Sequence, residues 1–422
     1  MRIAHLLRKY NPSEWGGTES AMLQLTSAMA RQGVEASLYA PGIARAPARP
    51  DPFADAGFAV RRFHASVPIW GISPEMRSQM VAVGGNMISF DLIGSLWRDR
   101  KLDLIHSHAQ GRLGAIGRVV ARSRRLPFVI SVHGGAYDLP AAVREGLRAP
   151  ARGGLDWGKP LGMVLRARNL LGEADAIIAY NPREASLIKE RHPGRRVVAE
   201  SHGIDTALFS RDCRAAATAS HPELAARPFL LTLGRIDPVK NQEWLVNEAA
   251  ELARRHPGIL LVFVGACTHG EYGDSLKRRI EREGLQDTVR LLGSLPSGDP
   301  VLIGLLQLAR AVVLPSTSET FGIVILEAWA AGTTVISSNT SGAAGRVKDG
   351  VDGFLFDLEH PAGFHAALDM LMRHPWLADR MGEAGRTRAV AEFDTSVCAR
   401  RMRLLYEDLV HEKNALRHTQ GR

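Results

Sequence analysis

The stretch 314–336, LPSTSETFGIVILEAWAAGTTVI, restricts the possible folds of this chain more than any other. Two short apolar runs, 311–314 and 334–336, have the character of buried strands, and 323–330 between them has that of a helix. The polar turn Ser316-Thr317-Ser318-Glu319-Thr320 ends the first strand and Gly322 opens the helix. Gly332 closes it, where a left-handed residue is expected. A strand, a turn and a helix N-terminus in this order make an anion site from free backbone N–H groups. Glu319 in the turn and Glu327 on the helix place two carboxylates beside that site.

Acids beside an anion site suit a ligand that carries both a diphosphate and hydroxyls, as a nucleotide sugar does. A plainer reading stands next to this one. Glu319 then only complements the helix dipole, worth about 0.3–1 kcal/mol, and Glu327 is a solvated helix residue. This stretch alone leaves the two readings level.

The same plan recurs along the chain. Residues 3–7 form an apolar strand, followed by the loop Tyr10–Gly17 and a helix over 19–31 that Thr18 caps. Ala21, Leu25, Ala28 and Met29 share one face of that helix, and Gly33 stops it. Further strands are expected at 34–40, 102–105, 128–132, 176–179 and 196–199, with helices at 113–124 and 182–190. A second series follows at 229–233, 259–264, 289–292, 311–314, 334–336 and 353–356. Strands alternating with helices predict parallel sheets covered on both faces. The fold class is α/β, with two doubly wound domains: 1–206, a linker over 207–228, and 229–395. The amphipathic helix at 396–422 arrives after the second sheet is complete.

Composition excludes several classes. The 422 residues exceed one ordinary core, and 45% hydrophobic with 23% charged residues is usual for a globular protein. The net charge of +9 is spread along the chain rather than gathered in a tail or an aromatic-interleaved patch, so nucleic acid is not the expected partner. Cys213, Cys267 and Cys398 form no CxxC pair, which fits a reducing cytoplasm. The five residues 3–7 are too short for a signal peptide, and no run approaches a membrane span. Arg118, Arg122 and Arg125 recur at helical spacing and suggest a basic face at the inner membrane surface; a solvated face is the plainer reading.

Ligands of such sheets sit at the carboxyl ends of the strands. Gly16-Gly17 follows the first strand, where a missing side chain lets a phosphate or sugar reach the backbone, though a simple turn explains it equally. No GxGxxG occurs, which weakens a dinucleotide reading. His106 and His108 lie at one strand end, and a hydrogen-bonding role suits them better than a metal, since no acidic or Cys partner is adjacent. His133 ends the next strand beside Gly134-Gly135, weighed against an ordinary core histidine. Residues 135–160, rich in Gly, Pro, Ala and Arg, suggest an acceptor-side flap. After 229–233 comes GRIDPVKN, in which Arg235 and Lys240 are placed to converge on one diphosphate rather than simply face solvent.

Gly16-Gly17, His133, GRIDPVKN and SETFGIVILEAWAAG, in this order, resemble the family-4 retaining glycosyltransferases over nearly the whole chain. The resemblance implies the GT-B fold of two facing Rossmann-like domains, with the last helix crossing back to the N-terminal one. It implies that Arg235 and Lys240 hold the donor diphosphate, that Glu327 takes the ribose hydroxyls, and that Glu319 with the amides of Thr320, Phe321 and Gly322 contacts sugar and phosphate. Gly16 and Gly17 would face that phosphate from the other domain, and His133 would contact the donor hexose. His202 stands where Asn is commoner, and Cys267 where a second Gly is common. The expected activity is transfer of a hexose from a UDP- or GDP-sugar to a hydroxyl acceptor (glycan, small sugar or lipid-linked), with retention and by a front-face route. No cofactor and no metal are expected, as the chain has no D-x-D. An epimerase of the same fold, a hydrolase of the same donors, and a non-catalytic sugar-nucleotide-binding protein remain alternatives. Because the site residues divide between two domains, closure near Gly203 and before Ser396 is expected.

Overall fold

In the computed structural model, residues 1–9, 17–42, 58–83, 85, 87–134, 137–138 and 154–420 are described. The chain divides into two units, Met1–Gly203 with Thr395–Arg422, and Ile204–Asp394. The first contains strands β1 (Arg2–Leu6), β2 (Glu35–Pro41), β3 (Ala59–Phe63), β4 (Ile69–Trp70), β5 (Leu104–Ser107), β6 (Phe128–Val132), β7 (Leu155–Asp156), β8 (Ala176–Ala179) and β9 (Arg196–Ala199). The second contains β10 (Phe229–Leu233), β11 (Leu260–Val264), β12 (Val289–Gly293), β13 (Ala311–Leu314), β14 (Val335–Ser338) and β15 (Gly353–Phe356).

Seven strands of the first unit pair in the order β3-β2-β1-β5-β6-β8-β9, and β4 and β7 form a separate two-stranded ribbon. The second unit has the order β12-β11-β10-β13-β14-β15. Every pairing in both large sheets is parallel. The strand order reverses between β1 and β5 in one sheet and between β10 and β13 in the other. Crevices open at such reversal points, outside the carboxyl ends of the strands.

Burial on both faces explains why the central strands are continuous apolar runs. In β10 and β11 every residue is buried, and each strand packs into one core of its unit. The edge strand β3 escaped the sequence reading. Its sequence AVRRF is half-exposed and carries two arginines, a composition that keeps an edge from pairing with a second chain. The first helix is Gly17–Arg31, so Thr18 lies inside its first turn rather than capping it. Ala21, Leu25, Ala28 and Met29 are all buried, as their spacing requires, and Gly33 ends the helix at φ +78°.

The stretch 207–228, expected as a linker, is mostly helical and packed. Thr206–Phe209, Arg214–Ser220 and Pro222–Ala225 are short helices within the second unit. Their polar, Ala-rich sequence hid a buried stripe made by Phe209, Ala217 and Leu224. Gln307 Oε1 accepts a hydrogen bond from Cys213 N at 2.9 Å, which ties the stretch to the helix Pro300–Leu308.

The last helix, Thr395–Gln420, belongs to the first unit. It packs against Gly17–Arg31, buries Tyr406 and Leu409, and pairs Arg401 with Glu200 at 3.1 Å and Lys413 with Asp175 at 2.6 Å. A side chain at Gly203 would come within 2.6 Å of Thr395 Cα, so the two chain crossings lie side by side.

Candidate functional site

In the second unit the loops after β10 and β13 meet at the strand-order reversal. Gly234 has φ +146°, and the Lys240 stem passes over it, with Lys240 Cε 3.4 Å from where a Cβ would be. Asp237 Oδ1 accepts from the amides of Val239 at 3.0 Å and Lys240 at 2.9 Å, folding GRIDPVKN into a tight turn. Asn241, left-handed at φ 56°, donates from Nδ2 to Pro315 O at 3.1 Å, and Thr317 N donates to Val239 O at 2.9 Å. The two loops are thereby pinned together.

This brings Lys240 Nζ into a hydrogen-bonded ion pair with Glu319 Oε2. The other oxygen, Glu319 Oε1, accepts from Gly322 N at 3.1 Å. Gly322 has φ +80° and stands immediately before the helix Ile323–Ala330, so Glu319 reaches over that helix start. Burial works to raise the Glu319 pKa. The Lys240 charge and hydrogen bond, the Gly322 amide and the Arg346 charge outweigh it and hold the carboxyl below its usual value. Glu327, one face down the same helix, is nearly buried. Desolvation pushes its pKa up to about 7, against a Ser297 hydrogen bond and the Lys240 charge. The two acids therefore have opposite tendencies within one site.

Arg235 takes a different position from the one its spacing suggested. Its side chain is 61% exposed and pairs with Asp237 at 3.0 Å, while Lys240 is held by Glu319. The two cations share a loop but pair with different carboxylates. A cavity of about 270 Å³ lies beside this loop, lined by Ile236, Gly265, Ala266, Cys267, Leu291 and Gly293 among others. A Cβ on Gly265 would fall 1.9 Å from Gly234 O, so only glycine lets the two strand ends approach.

The sequence reading missed Arg346. It is 5% exposed, lies 3.6 Å over the Phe321 ring and donates to Gly342 O at 2.9 Å. Burial lowers its pKa to about 9, with Glu319 opposing. Its available signal was position: it follows β14 at the carboxyl edge of the sheet, where the strand-end rule points.

In the first unit, His133 follows β6 and is joined to a histidine cluster. His133 Nε2 is 2.8 Å from His108 Nδ1, and His5 Nδ1 is 3.1 Å from His108 Nε2. His106 is held by Tyr406 Oη at 2.5 Å and Ser131 Oγ at 2.8 Å. His202 stacks on Tyr180 at 3.8 Å and lies parallel to His133 at 5.4 Å. Burial, then the His202 and Arg8 charges, keep the His133 pKa well below its ordinary value. His5, His106 and His108 bring nitrogens within 4.8 Å of one another. The ring nitrogens of His106 and His108 are engaged by neighbours, which matches the hydrogen-bonding role expected for the H-x-H pair.

Gly16, residues 10–15, Gly135 and most of the expected flap lie outside the described residues, and Gly17 is the first residue of its helix. The described end of the flap region carries β7 and the helix Lys159–Val164. The basic face suggested by Arg118, Arg122 and Arg125 is divided. Arg118 is 6% exposed and ion-paired with Glu173, which also attracts Arg122 at 4.0 Å. Among the described residues no helix is long and apolar enough to cross a membrane.

Comparison with known proteins gives the family and the fold. Residues 215–388 match the glycosyl transferases group 1 family model, and 16–201 match a glycosyl transferase 4-like domain. The chain is 31% identical over 306 residues to the D-inositol 3-phosphate glycosyltransferase of Frankia alni, spanning 71% of this chain and 72% of that one. It is 27% identical over 380 residues to the enzyme of the same name from Segniliparus rotundus, spanning 89% and 80%. Among solved structures it resembles Anabaena HepE in complex with UDP, with TM-score 0.71 and 20% identity over 97% of this chain and 100% of that one. Sucrose-phosphate synthase from Thermosynechococcus elongatus gives TM-score 0.73 and 20% identity over 97% and 99%. At that identity the likeness establishes the fold, GT-B.

Proposed function

The chain belongs to the glycosyl transferases group 1 and is a glycosyltransferase acting on a sugar nucleotide; from this premise we propose that it transfers a hexose from a UDP-sugar to a hydroxyl acceptor with retention of configuration. The observation that carries the reading is the Lys240–Glu319 pair seated on the Gly322 amide at a helix start. A diphosphate replaces Glu319 as the anion beside Lys240, and the freed carboxylate and amides turn to the sugar. Arg235 swings from Asp237 to the same diphosphate. Its 61% exposure leaves it room to move.

Cleavage of the anomeric bond leaves negative charge on the diphosphate. Fixed cations and a helix N-terminus answer that charge, and preorganised donors of this kind are worth about 3–4 kcal/mol each. Lys240, Arg235 and the buried Arg346 thus serve where a metal ion would otherwise neutralise the leaving group. Glu327 receives the ribose hydroxyls, and the cavity beside Cys267 receives the base. UDP is favoured because HepE was solved with UDP. Retention follows from a leaving-phosphate oxygen that accepts the acceptor's proton on the same face of the sugar. The first acceptor class to try is a phosphorylated polyol, since the relatives are named for D-inositol 3-phosphate.

The test is incubation of the purified protein with UDP- and GDP-hexoses and D-inositol 3-phosphate in the presence of EDTA. NMR of the first-formed glycoside reads the anomeric configuration. An inverted product overturns the mechanism, and activity that requires added magnesium or manganese overturns the metal-free clamp. Free sugar formed equally fast without acceptor identifies a hydrolase, and an isomerised nucleotide sugar an epimerase.

A further inference from the structure

Three imidazoles of the first unit form an unbroken hydrogen-bonded chain, His133 Nε2 to His108 Nδ1 at 2.8 Å and His108 Nε2 to His5 Nδ1 at 3.1 Å. Its two end nitrogens, His133 Nδ1 and His5 Nε2, are buried without a hydrogen-bond partner among the described residues. His5 is fully buried, His108 is 4% exposed, and His133 sits between His108 and the stacked ring of Tyr180. Burial lowers the pKa of His5 to about 3 and those of His108 and His133 well below the usual value, so all three rings are neutral near pH 7. The groups around His133 reinforce this: Arg8 carries a fixed positive charge, and a proton on His202 or His106 would repel one on His133.

A neutral imidazole carries one N–H and one lone pair. Three rings and two contacts then allow only two arrangements without a wasted contact. With all protons on Nδ1, His5 donates to His108, His108 donates to His133, and His133 Nδ1–H points outward. With all protons on Nε2, both bonds reverse, His133 Nδ1 offers a lone pair, and His5 Nε2 carries the outer N–H. Any mixed set puts two lone pairs or two N–H groups face to face and forfeits a buried hydrogen bond. The neighbouring His106 does not interrupt the chain, because Tyr406 and Ser131 occupy both of its nitrogens.

We infer that His108 and His5 are positioning residues that lock His133 into one of two tautomers, so that His133 Nδ1 presents either a donor or an acceptor and His5 Nε2 always takes the complementary state. The inference rests on the reading in which His133 faces the donor hexose. A hexose hydroxyl can donate or accept, and each arrangement meets one of these needs with a neutral imidazole; reversal shifts both bridging protons toward His133 and balances only when His133 Nδ1 gives up its proton and His5 Nε2 takes one. Neutrality matters there, because the sugar gains positive charge as the anomeric bond breaks, and an imidazolium at that point would oppose it.

The test reads tautomers directly, from long-range 1H–15N spectra of the full chain labelled with 15N-histidine at pH 7.5. The expected result is one shared tautomer for His5, His108 and His133. His5→Phe should release the lock and leave His133 as a mixture of tautomers, and His5→Asn, which keeps a partner for His108 Nε2, should restore a single one. A mixed set in the wild type overturns the inference, and so does a stoichiometric metal ion in the purified protein, which would take the lone pairs that the chain uses. UDP-glucose separates this inference from the reading it rests on. Failure of UDP-glucose to raise the melting temperature counts against the donor site, while unmatched tautomers count against the chain.

Discussion

Gly342 N donates to Glu319 O at 2.7 Å, and a Cβ on Gly342 would fall only 2.5 Å from that same oxygen. The contact fixes the turn that carries the Glu319 carboxylate to Lys240. Gly342→Ala should therefore push the turn away while leaving both sheets intact. The expected outcome is at least a tenfold loss of turnover with an unchanged far-UV spectrum. The loss should exceed that of Gly345→Ala, at the end of the same short helix.

Lys240 and Arg235 enter the site from one loop but start from different partners, Glu319 and Asp237. Both cations are proposed to meet the leaving diphosphate. Lys240→Ala and Arg235→Ala should each lower kcat at least a hundredfold, the usual scale for removing one such donor. Lys240→Ala should also disturb the unliganded protein more than Arg235→Ala, because Asp237 keeps the amides of Val239 and Lys240 whereas Glu319 keeps that of Gly322. The melting temperature of the two variants separates these effects. Near-normal turnover in either variant removes it from the clamp.

Most of the fold was legible because buried parallel strands must be continuous apolar runs; Phe128–Val132, Phe229–Leu233 and Ala311–Leu314 coincide with the runs read from sequence. Where polar residues are buried the boundary shifted. The strand Leu104–Ser107 continues through His106 and Ser107, whose side chains bond Tyr406, Ser131 and a backbone carbonyl inside the unit. The turn carrying Glu319 and the loop carrying Lys240 were visible as spacing at strand ends, and the structure joins them. Arg346 offered only its position after β14 as a signal, since nothing near it in sequence shows that the Phe321 ring lies against it. Nothing in the sequence marked His5, which gains its partner only where the fold sets His108 beside it.

Cys267 is exposed and lines the cavity beside the GRIDPVKN loop, whereas Cys398 is buried. If the base occupies that cavity, UDP should shield the Cys267 thiol. Mass spectrometry after timed N-ethylmaleimide treatment should show Cys267 labelling slowed at least fivefold by saturating UDP, with Cys213 unchanged. Equal labelling of Cys267 with and without bound UDP would place the base elsewhere.

Glu327 supplies a pH test whose sign is fixed by its burial. Its pKa in the folded protein is about 7, raised from 4.5. The folded state therefore holds the proton more tightly than the unfolded chain, and stability from this group is greatest below the unfolded value and falls as pH rises through 7. By pH 8 the cost reaches about 3 kcal/mol, since each tenfold difference in proton affinity between the two states is worth about 1.4 kcal/mol. Glu327→Gln removes the ionisation but keeps the shape. The variant should melt higher than wild type at pH 8, by several degrees, and the gap should close toward pH 5. Glu319 does not mimic this trend, because its lowered pKa makes its contribution fall only as the solution becomes acidic. UDP should narrow that gap if Glu327 accepts ribose hydroxyls. The variant should then bind UDP roughly tenfold more weakly, about 1.4 kcal/mol, and gain less from a saturating dose. A melting-temperature gap independent of pH would show that Glu327 is already ionised in the unliganded site.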